Sequence, residues 1–220
     1  MQIRESEQTT EATRQRLIEA AGEVFAEQGF RAATVREICA RAGANVAAVN
    51  YHFGDKERLY AEALKYAHAC AILKYPPGLG LPAGAPAAER LRAFVMSFLS
   101  RILDPGRPAW HAKIMSRELA EPTAAMDVLV HEQIKPHFIH LREIVLELLG
   151  GEGADEETVR MCCYSVVGQC LFFHFGRPVM ARLSPGGMPG MREAPRIAEH
   201  ITRVVLAGIK DIAREKGGGR

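Results

Sequence analysis

Hydrophobic positions recur along most of the chain at the spacing of an α-helix. In the first long run they occupy positions i, i+3, i+4, i+7 and i+8 of one helical face: Leu17, Ala20, Ala21, Val24 and Phe25. Gly29 follows as the residue expected to end this helix. The chain has no hairpin signal and no repeat of fixed period. The pattern predicts an all-α protein of about nine helices.

Two short helices are predicted next, each with its own start signal. Thr34-Val-Arg-Glu37 has the spacing of a capping box, and Gly43 should end the helix that it opens. That second helix should bury Val35, Ile38, Cys39 and Ala42. Asn45 is a suitable N-cap for a third helix. Gly54-Asp55 then breaks the chain before a fourth helix over about residues 55–73.

The rest of the chain follows a linker, Pro76 to Pro86, that is rich in proline and glycine. A wide apolar stripe predicts helix five, and it comprises Leu91, Phe94, Val95, Phe98, Leu99 and Ile102. Further helices are predicted over about residues 108–120, 123–149, 155–175 and from about 195 to 216, with a loop over 184–195. Pro136 should kink or break the longest of these segments.

Composition adds constraints on location and partners. Apolar residues make up 48% and charged residues 25% of the 220, as in ordinary globular proteins. No run approaches the roughly 18 apolar residues that span a membrane, and the polar first residues do not resemble a signal peptide. Five cysteines, an odd number, without an export signal indicate free thiols and a cytoplasmic location.

Net charge alone does not indicate that the protein binds nucleic acid. The total is +2, and residues 1–70 hold nine Lys and Arg against ten Asp and Glu. Residues 31–58, however, hold five basic against three acidic residues. The basic excess therefore lies within the two short helices, the turns that flank them and the start of helix four.

The second and third helices, joined through a glycine, have the outline of a helix-turn-helix motif. In that motif the second helix of the pair enters the major groove. Small side chains such as Ala47 let the backbone approach DNA, and Asn50 offers hydrogen bonds to bases. Lys56 at the start of helix four is a candidate phosphate clamp. The predicted DNA contacts are Thr34, Arg36, Asn45, Val46, Ala47, Ala48, Asn50, Tyr51, His52 and Lys56.

The segment TVREICARAGANVAAVNYHFGDKERLY resembles the N-terminal signature of the TetR family of bacterial transcriptional regulators, over about residues 12–65. The matching positions are Thr34, Ile38, Gly43, His52, Phe53, Lys56 and Leu59. Cys39 stands where the family usually has Ala, and Asn50 where it often has a Tyr that contacts the DNA backbone. Tyr51 matches a second aromatic position. The alternative is a three-helix bundle without a DNA role.

The segments SRELAEPTAAMDVLVHEQIKPHF and YSVVGQCLFFHF resemble the CecR-type branch of the same family. The resemblance implies a homodimer whose last two helices pair across a two-fold axis. Apolar stripes on those helices are consistent with it, and we assign to the interface Val166, Cys170, Val204, Val205 and Gly208. The alternative is that these stripes face the subunit's own core.

An effector pocket is expected among helices five to eight. Its predicted lining is apolar with a few polar groups: Met96, Phe98, Trp110, Met115, Glu118, His137, Phe138, Gln169 and Phe172. Such residues at helical spacing are also ordinary core. Metal sensing is a second alternative, with Cys163, Cys170, His131, His137, His140 and His174 as its residues. A thiol switch that includes Cys162 is a third. We predict no metal site and no cofactor.

These observations predict a regulator with a helix-turn-helix domain over residues 1–54 and a ligand-binding and dimerisation domain over 55–220. Helix four links the two. The protein should be a ligand-responsive repressor that binds a near-palindromic operator as a dimer, without a membrane partner. The catalytic signatures sought, a nucleophile elbow, HExxH, a phosphate loop and a dinucleotide fingerprint, do not occur, so we predict no enzyme. A helical scaffold for protein partners is the remaining class. Effector, operator and the choice between repression and activation stay open.

Overall fold

A computed structural model describes residues 2–82, 84–104, 109–151, 153–184, 186 and 189–217. Within these ranges the regular structure is helical and contains no strand, which confirms the all-α prediction. The chain divides into two compact units. Unit 1 comprises Met1–Cys70 and Gly106–Ile134, and unit 2 comprises Ala71–Pro105 and Lys135–Arg220. Compactness thus groups residues differently from the functional boundary predicted at residue 54, which stays a prediction.

Unit 1 holds the first three helices, most of the fourth and the two that follow residue 106. The helices of the chain are α1 Gln2–Gln28, α2 Val35–Ala42, α3 Val46–His52, α4 Lys56–Lys74, α5 Ala87–Leu103, α6 Ala109–Ala120, α7 Ala125–Leu129, α8 Lys135–Leu148, α9 Glu156–Phe175, α10 Arg177–Leu183 and α11 Ala194–Gly217. A π-helix, Val130–Ile134, joins α7 to α8, and a 3-10 turn, Met191–Glu193, precedes α11.

Local capping explains the boundaries of the short helices. Gly29 and Gly43 have φ of 84° and 61°, in the left-handed region where glycine carries no steric penalty. Thr34 Oγ1 accepts a hydrogen bond from Glu37 N at 3.2 Å, and Asn45 Oδ1 accepts one from Ala48 N at 2.9 Å. Both N-cap predictions are confirmed. The Glu37 carboxylate, however, accepts from Gln28 Nε2, so only half of the capping box is observed.

The core of unit 1 lies where α1 packs against α2, α3 and α6. Its fully buried side chains include Phe25, Ile38, Val49, Leu59 and Ile114. The interior is close-packed, because a Cβ at Gly22 would lie 2.3 Å from Trp110 Cζ3. Gly22 therefore marks a point where α1 and α6 must approach closely.

Unit 2 is built around α5, which packs against α8, α9 and α11. Its core is aliphatic, with Leu91, Leu99, Ile144, Val166 and Ile201 almost fully buried. Asp155 caps α9 by accepting hydrogen bonds from the backbone N–H groups of Glu157 and Thr158. This confirms the acidic start that the sequence predicts.

Two segments differ from the sequence predictions. The run over residues 123–149 is not one helix but α7, a π-helix and α8, and the irregular turn directly precedes Pro136. Proline cannot donate the backbone hydrogen bond of a regular helix, so the pattern of hydrogen bonds changes there. Helix α10, Arg177–Leu183, was not predicted. Val35 is half-buried rather than buried.

Candidate nucleic-acid interface

Helix α3 separates its side chains into an inner and an outer face. Val49 is fully buried, and Phe53, the residue that ends the helix, is 6% exposed. Outward, Val46 is 48% and Tyr51 78% exposed, and Ala47 and Asn50 are exposed too. Large apolar and aromatic side chains left in water on a seven-residue helix indicate a surface that meets a partner.

The turn before α3 is held in place from both sides. Asn45 caps α3 with its side chain, and its backbone oxygen accepts a hydrogen bond from Cys39 Sγ at 3.4 Å. Burial raises the pKa of Cys39, so the thiol stays protonated and can donate. Because Asn45 is engaged as a cap, α3 begins at a fixed position relative to α2. Contacts of Asn45 with DNA stay a prediction.

A shallow groove lies beside the outer face of α3. Its lining comes from α1 and from α3 with its cap: Thr10, Thr13, Asn45, Ala47, Ala48, Tyr51 and His52. Thr13 Oγ1 accepts a hydrogen bond from Arg16 at 3.2 Å. The two threonines were not predicted as site residues, although their position just before the apolar stripe of α1 is a detectable signal. The groove brings hydroxyl groups of α1 next to the predicted reading helix.

Lys56 occupies a more enclosed position than the sequence suggests. Its Nζ donates to the backbone oxygens of Phe30 and Ala33 at 3.0 and 3.1 Å, and it lies 4.6 Å from the centroid of the Phe30 ring. The ammonium thus ties the connection between α1 and α2 to the start of α4. The predicted phosphate contact of this side chain remains to be tested against that structural role.

The other predicted DNA contacts lie around α2 and the end of α3. Arg36 is exposed, Thr34 is exposed while it caps α2, and Ala48 is half-buried. His52 is half-buried, with its ring 5.0 Å from that of Tyr51 and 5.9 Å from that of Phe53. Arg58, the third residue of α4, is also exposed and basic, but it was not predicted as a DNA contact.

Three residues predicted to line an effector pocket lie in unit 1, and there they have structural contacts. Trp110 is buried, with its ring 4.0 Å from that of His111, and Met115 packs on the same core. Glu118 is fully buried: Tyr60 Oη donates to its Oε2 at 2.9 Å, and Thr123 N to its Oε1 at 2.8 Å. Burial, followed by this hydrogen bond, raises the pKa of Tyr60. A ligand contact for these residues stays a prediction.

The six other predicted pocket residues lie in unit 2. Five are half-buried, on α5, α8 and α9: Met96, Phe98, His137, Phe138 and Gln169. Phe172 instead is 51% exposed on α9. Burial lowers the pKa of His137, and the nearby Arg101 and His140 lower it further, so its imidazole is neutral at pH 7. The helices that carry the five pack against one another.

The predicted dimer residues need a correction. Val166, Cys170 and Val205 are buried in the core of unit 2 itself, so they cannot form a surface. The exposed stripe of α9 lies on the opposite face, and it comprises Met161, Tyr164, Gly168, Phe172 and Phe175. On α11 Val204 and Gly208 are exposed as predicted. Sequence periodicity thus assigned three of the five predicted residues to a face that is buried within unit 2, and the use of α9 and α11 in a dimer stays a prediction.

The cysteines of α9 are poorly suited to thiolate chemistry. Burial raises the pKa of Cys163 to about 11 and that of Cys170 to about 12. Thiols with such values are protonated at neutral pH and are weak nucleophiles and weak metal ligands. Among the described residues, no three His, Cys, Asp or Glu side chains form a group that suits a metal ion. Within the same residues, no helix has the length and hydrophobicity needed to cross a membrane.

Comparison with known proteins bears directly on this geometry. Residues 17–63 match the family model of the tetR family of bacterial regulatory proteins, and residues 87–209 match that of the C-terminal domain of the transcriptional dual regulator CecR. The HTH-type transcriptional dual regulator CecR of Shigella flexneri is 32% identical over 182 residues, which are 76% of this chain and 78% of that protein.

Solved structures show the same fold. The transcriptional regulator FadR from Bacillus subtilis in complex with stearoyl-CoA matches with a TM-score of 0.66 at 20% identity, over 88% of this chain and 98% of that one. AibR in complex with isovaleryl coenzyme A and operator DNA matches with a TM-score of 0.63 at 17% identity, over the same shares. The chain therefore belongs to the TetR family of DNA-binding transcriptional regulators, with a C-terminal domain of the CecR type.

Proposed function

We propose that this regulator is a ligand-responsive repressor that binds a near-palindromic operator as a homodimer and is released by a small molecule bound in its C-terminal region. The observation that carries the proposal is the outer face of α3, where Asn50 and Tyr51 are exposed while Val49 and Phe53 anchor the helix. A helix that is anchored by buried side chains and exposes polar and aromatic ones is the arrangement found in recognition helices that enter the DNA major groove.

The chemistry of the face suits base edges and phosphates. The methyl group of Ala47 can contact a thymine methyl, and the Asn50 amide can both donate to and accept from a base. Tyr51 and the hydroxyl groups of Thr10 and Thr13 border the groove beside α3, where they can meet a DNA backbone. Contacts with the DNA backbone would then come from both α1 and α3, and contacts with the bases from α3.

Fluorescence anisotropy with DNA from upstream of the protein's own coding sequence tests the proposal. We expect binding roughly 10³-fold tighter than to scrambled DNA between about 50 and 200 mM salt. The Asn50→Ala/Tyr51→Ala variant should lose that preference. A Glu143→Ala/Arg160→Ala variant, altered at two exposed positions of unit 2 with no change in net charge, should retain it. A genome-wide selection of DNA fragments extends the test. If the unaltered protein binds every fragment with the same affinity, α3 does not recognise a DNA sequence.

Dimerisation is supported by the exposed faces of α9 and α11. The α9 stripe exposes Tyr164 and Phe172 by about half their surface, and Val204 on α11 is 46% exposed. A Cβ at Gly168 or Gly208 would meet no other atom within 4 Å, although glycine in a helix interior costs about 1 kcal/mol relative to alanine. In the part of the chain that the structure describes, nothing requires the small size of these two residues, whereas a close-packed partner helix would.

Release by an effector requires only that the ligand favours a conformation with poor DNA affinity. A coupling of about 1–3 kcal/mol changes operator affinity roughly 5- to 150-fold. Helix α4 begins in unit 1 directly after the reading helix and ends in unit 2, so it is the covalent route by which a change in unit 2 reaches α3. The solved relatives in complex with stearoyl-CoA and isovaleryl coenzyme A make acyl-CoA molecules reasonable first compounds to test.

A further inference from the structure

Arg101 stands out on α5 because it interrupts an apolar face. It follows Phe94 by seven positions and Phe98 by three, the spacing at which the helix otherwise places core residues. Its guanidinium carbon lies 5.3 Å from the centroid of the Phe98 ring. Burial lowers its pKa to about 10, a large change for an arginine. A cationic side chain thus occupies a position where the apolar periodicity of α5 predicts a hydrophobic one.

The two other arginines of α5 show what an ordinary structural arginine does here. Arg90 pairs with Glu147 and Arg92 with Glu199, both with direct contacts between guanidinium and carboxylate. Arg101 forms no ion pair with any carboxylate of the described residues. Its Nη1 donates a long hydrogen bond of 3.4 Å to the backbone oxygen of Tyr75, and that oxygen already accepts one from Ser97 Oγ at 2.7 Å.

The groups around Arg101 do not neutralise it. His137 on α8 and Cys170 on α9 interact electrostatically with it, and burial keeps the first neutral and the second protonated. A partly buried guanidinium without a counter-charge lowers stability, because most of its hydration is lost and no ion pair replaces it. Positions that carry such a cost are characteristic of binding sites.

We propose that Arg101 is the anion-binding residue of the effector site, and that the effector is an organic anion with an apolar or aromatic body. The guanidinium presents a planar set of donors that matches a carboxylate or a phosphate ester. Phe98 and the half-buried residues of α5 and α8 supply the apolar surface for the rest of the molecule. This inference rests on the proposed ligand-responsive function and specifies the class of its ligand.

Thermal unfolding and calorimetric titration of the full-length protein test it with defined probes. The anions are octanoate, octyl phosphate and 4-phenylbutyrate, and octanol and 4-phenylbutanol are their uncharged matches, all at constant ionic strength. The anions should raise the Tm more than the alcohols. In Arg101→Gln that difference should vanish, with anion affinity roughly 10- to 100-fold weaker. Arg101→Lys should retain part of it. Comparison of the affinities for octanoate and octyl phosphate shows whether the site prefers a carboxylate or a phosphate ester.

Arg92→Gln is the matched control, because it removes the same charge from an exposed position of the same helix. It should bind the probes as the unaltered protein does. Without ligand, Arg101→Gln should have an unchanged or higher Tm, whereas loss of a purely structural arginine would lower it. Equal or absent effects of anions and alcohols on the unaltered protein would overturn the proposal, as would an anion preference that survives in Arg101→Gln.

Operator binding distinguishes failure of this inference from failure of the repressor proposal. Unliganded Arg101→Gln should bind operator DNA like the unaltered protein, and anions should release the unaltered protein but not the variant. Absence of specific DNA binding in all forms would refute the repressor proposal alone, since the anion titration does not involve DNA.

Discussion

Lys56 illustrates how one residue supports both the structure and the proposed function of unit 1. Its ammonium donates to two backbone oxygens of the α1–α2 connection and lies over the Phe30 ring. Hydrogen bonds from a charged donor to buried acceptors are stronger than neutral ones. The same ammonium has three donors, so one remains for a phosphate. We therefore expect a substitution at this position to change stability and, through the predicted phosphate contact, DNA affinity.

Replacing Lys56 by Met keeps an unbranched apolar side chain and removes only the charge and its donors. We expect the free energy of unfolding to fall by about 1.5–3 kcal/mol, because two backbone oxygens lose a charged partner. Equilibrium urea unfolding measures this change. Arg58→Met is the control, at an exposed position two residues further along the same helix. It should change the free energy of unfolding by less than about 0.5 kcal/mol.

The salt dependence of operator binding then separates the two roles of Lys56. Loss of one phosphate contact should reduce the slope of log affinity against log salt by about one. A slope equal to that of the unaltered protein, together with lower stability, would mean that Lys56 is a structural residue and that the predicted phosphate contact is wrong.

Single residues were predictable where their partners are close in sequence. Thr34 and Asn45 were identified as caps because a cap acts on backbone groups three positions away. Glu118 was assigned to a ligand pocket, whereas it accepts hydrogen bonds from the hydroxyl groups of Thr123 and of Tyr60, and Tyr60 lies 58 positions away in sequence. Arg101 was not identified at all, because the lack of a carboxylate partner depends on which side chains of α8 and α9 surround it. Such long-range contacts are not encoded in local spacing.

At the scale of elements, apolar periodicity predicted the long helices well and their orientation less well. On α9 both faces carry apolar residues, so the phase of the stripe did not show which face is buried. Val166 and Cys170 were therefore placed at a surface that Tyr164 and Phe172 occupy instead. The break before Pro136 was predicted, but its form as a π-helix depends on hydrogen bonds that the sequence does not specify.

The packing of α1 against α6 supplies a prediction at this scale. A Cβ at Gly22 would lie 2.3–2.5 Å from three atoms of the Trp110 ring, and that ring is buried. Gly22→Ala should therefore destabilise the protein by about 1–3 kcal/mol, although alanine is the better helix former. Urea unfolding of Gly22→Ala, Trp110→Leu and the double variant measures this coupling. Since leucine relieves the overlap, the two losses should sum to more than the loss in the double variant. Additive losses would show that the two helices do not limit each other at this point.

At the scale of the whole molecule, the proposed dimer depends on apolar surface that a single chain leaves exposed. Met161, Tyr164, Phe172 and Phe175 expose apolar surface on α9, and Val204 does so on α11. The two helices pack against each other, so their exposed faces can form one continuous patch. Patches of this kind on a folded domain mark interaction sites. A two-fold pairing of the patch with itself would present two α3 helices to the two halves of an operator.

Phe172→Glu tests whether this patch is the dimer interface. A carboxylate in the middle of an apolar interface loses its hydration without gaining a partner, and the two-fold axis brings in its copy as well. We expect dimer affinity to fall by about 2 kcal/mol or more, roughly 30-fold, as measured by sedimentation velocity over a range of concentrations. Operator affinity should fall with it, because each subunit then binds its half-site alone.

Ile139→Glu is the matched control, since it places the same charge on another exposed apolar residue of unit 2, on α8. It should leave both the dimer and operator binding unchanged, and far-ultraviolet circular dichroism should show the same helical content for both variants. The reverse pattern, with Phe172→Glu dimeric and Ile139→Glu monomeric, would move the interface from α9 to α8. If both variants stay dimeric and bind the operator as before, the exposed apolar surface of α9 does not hold the two subunits together, and the dimer proposed here must use another face.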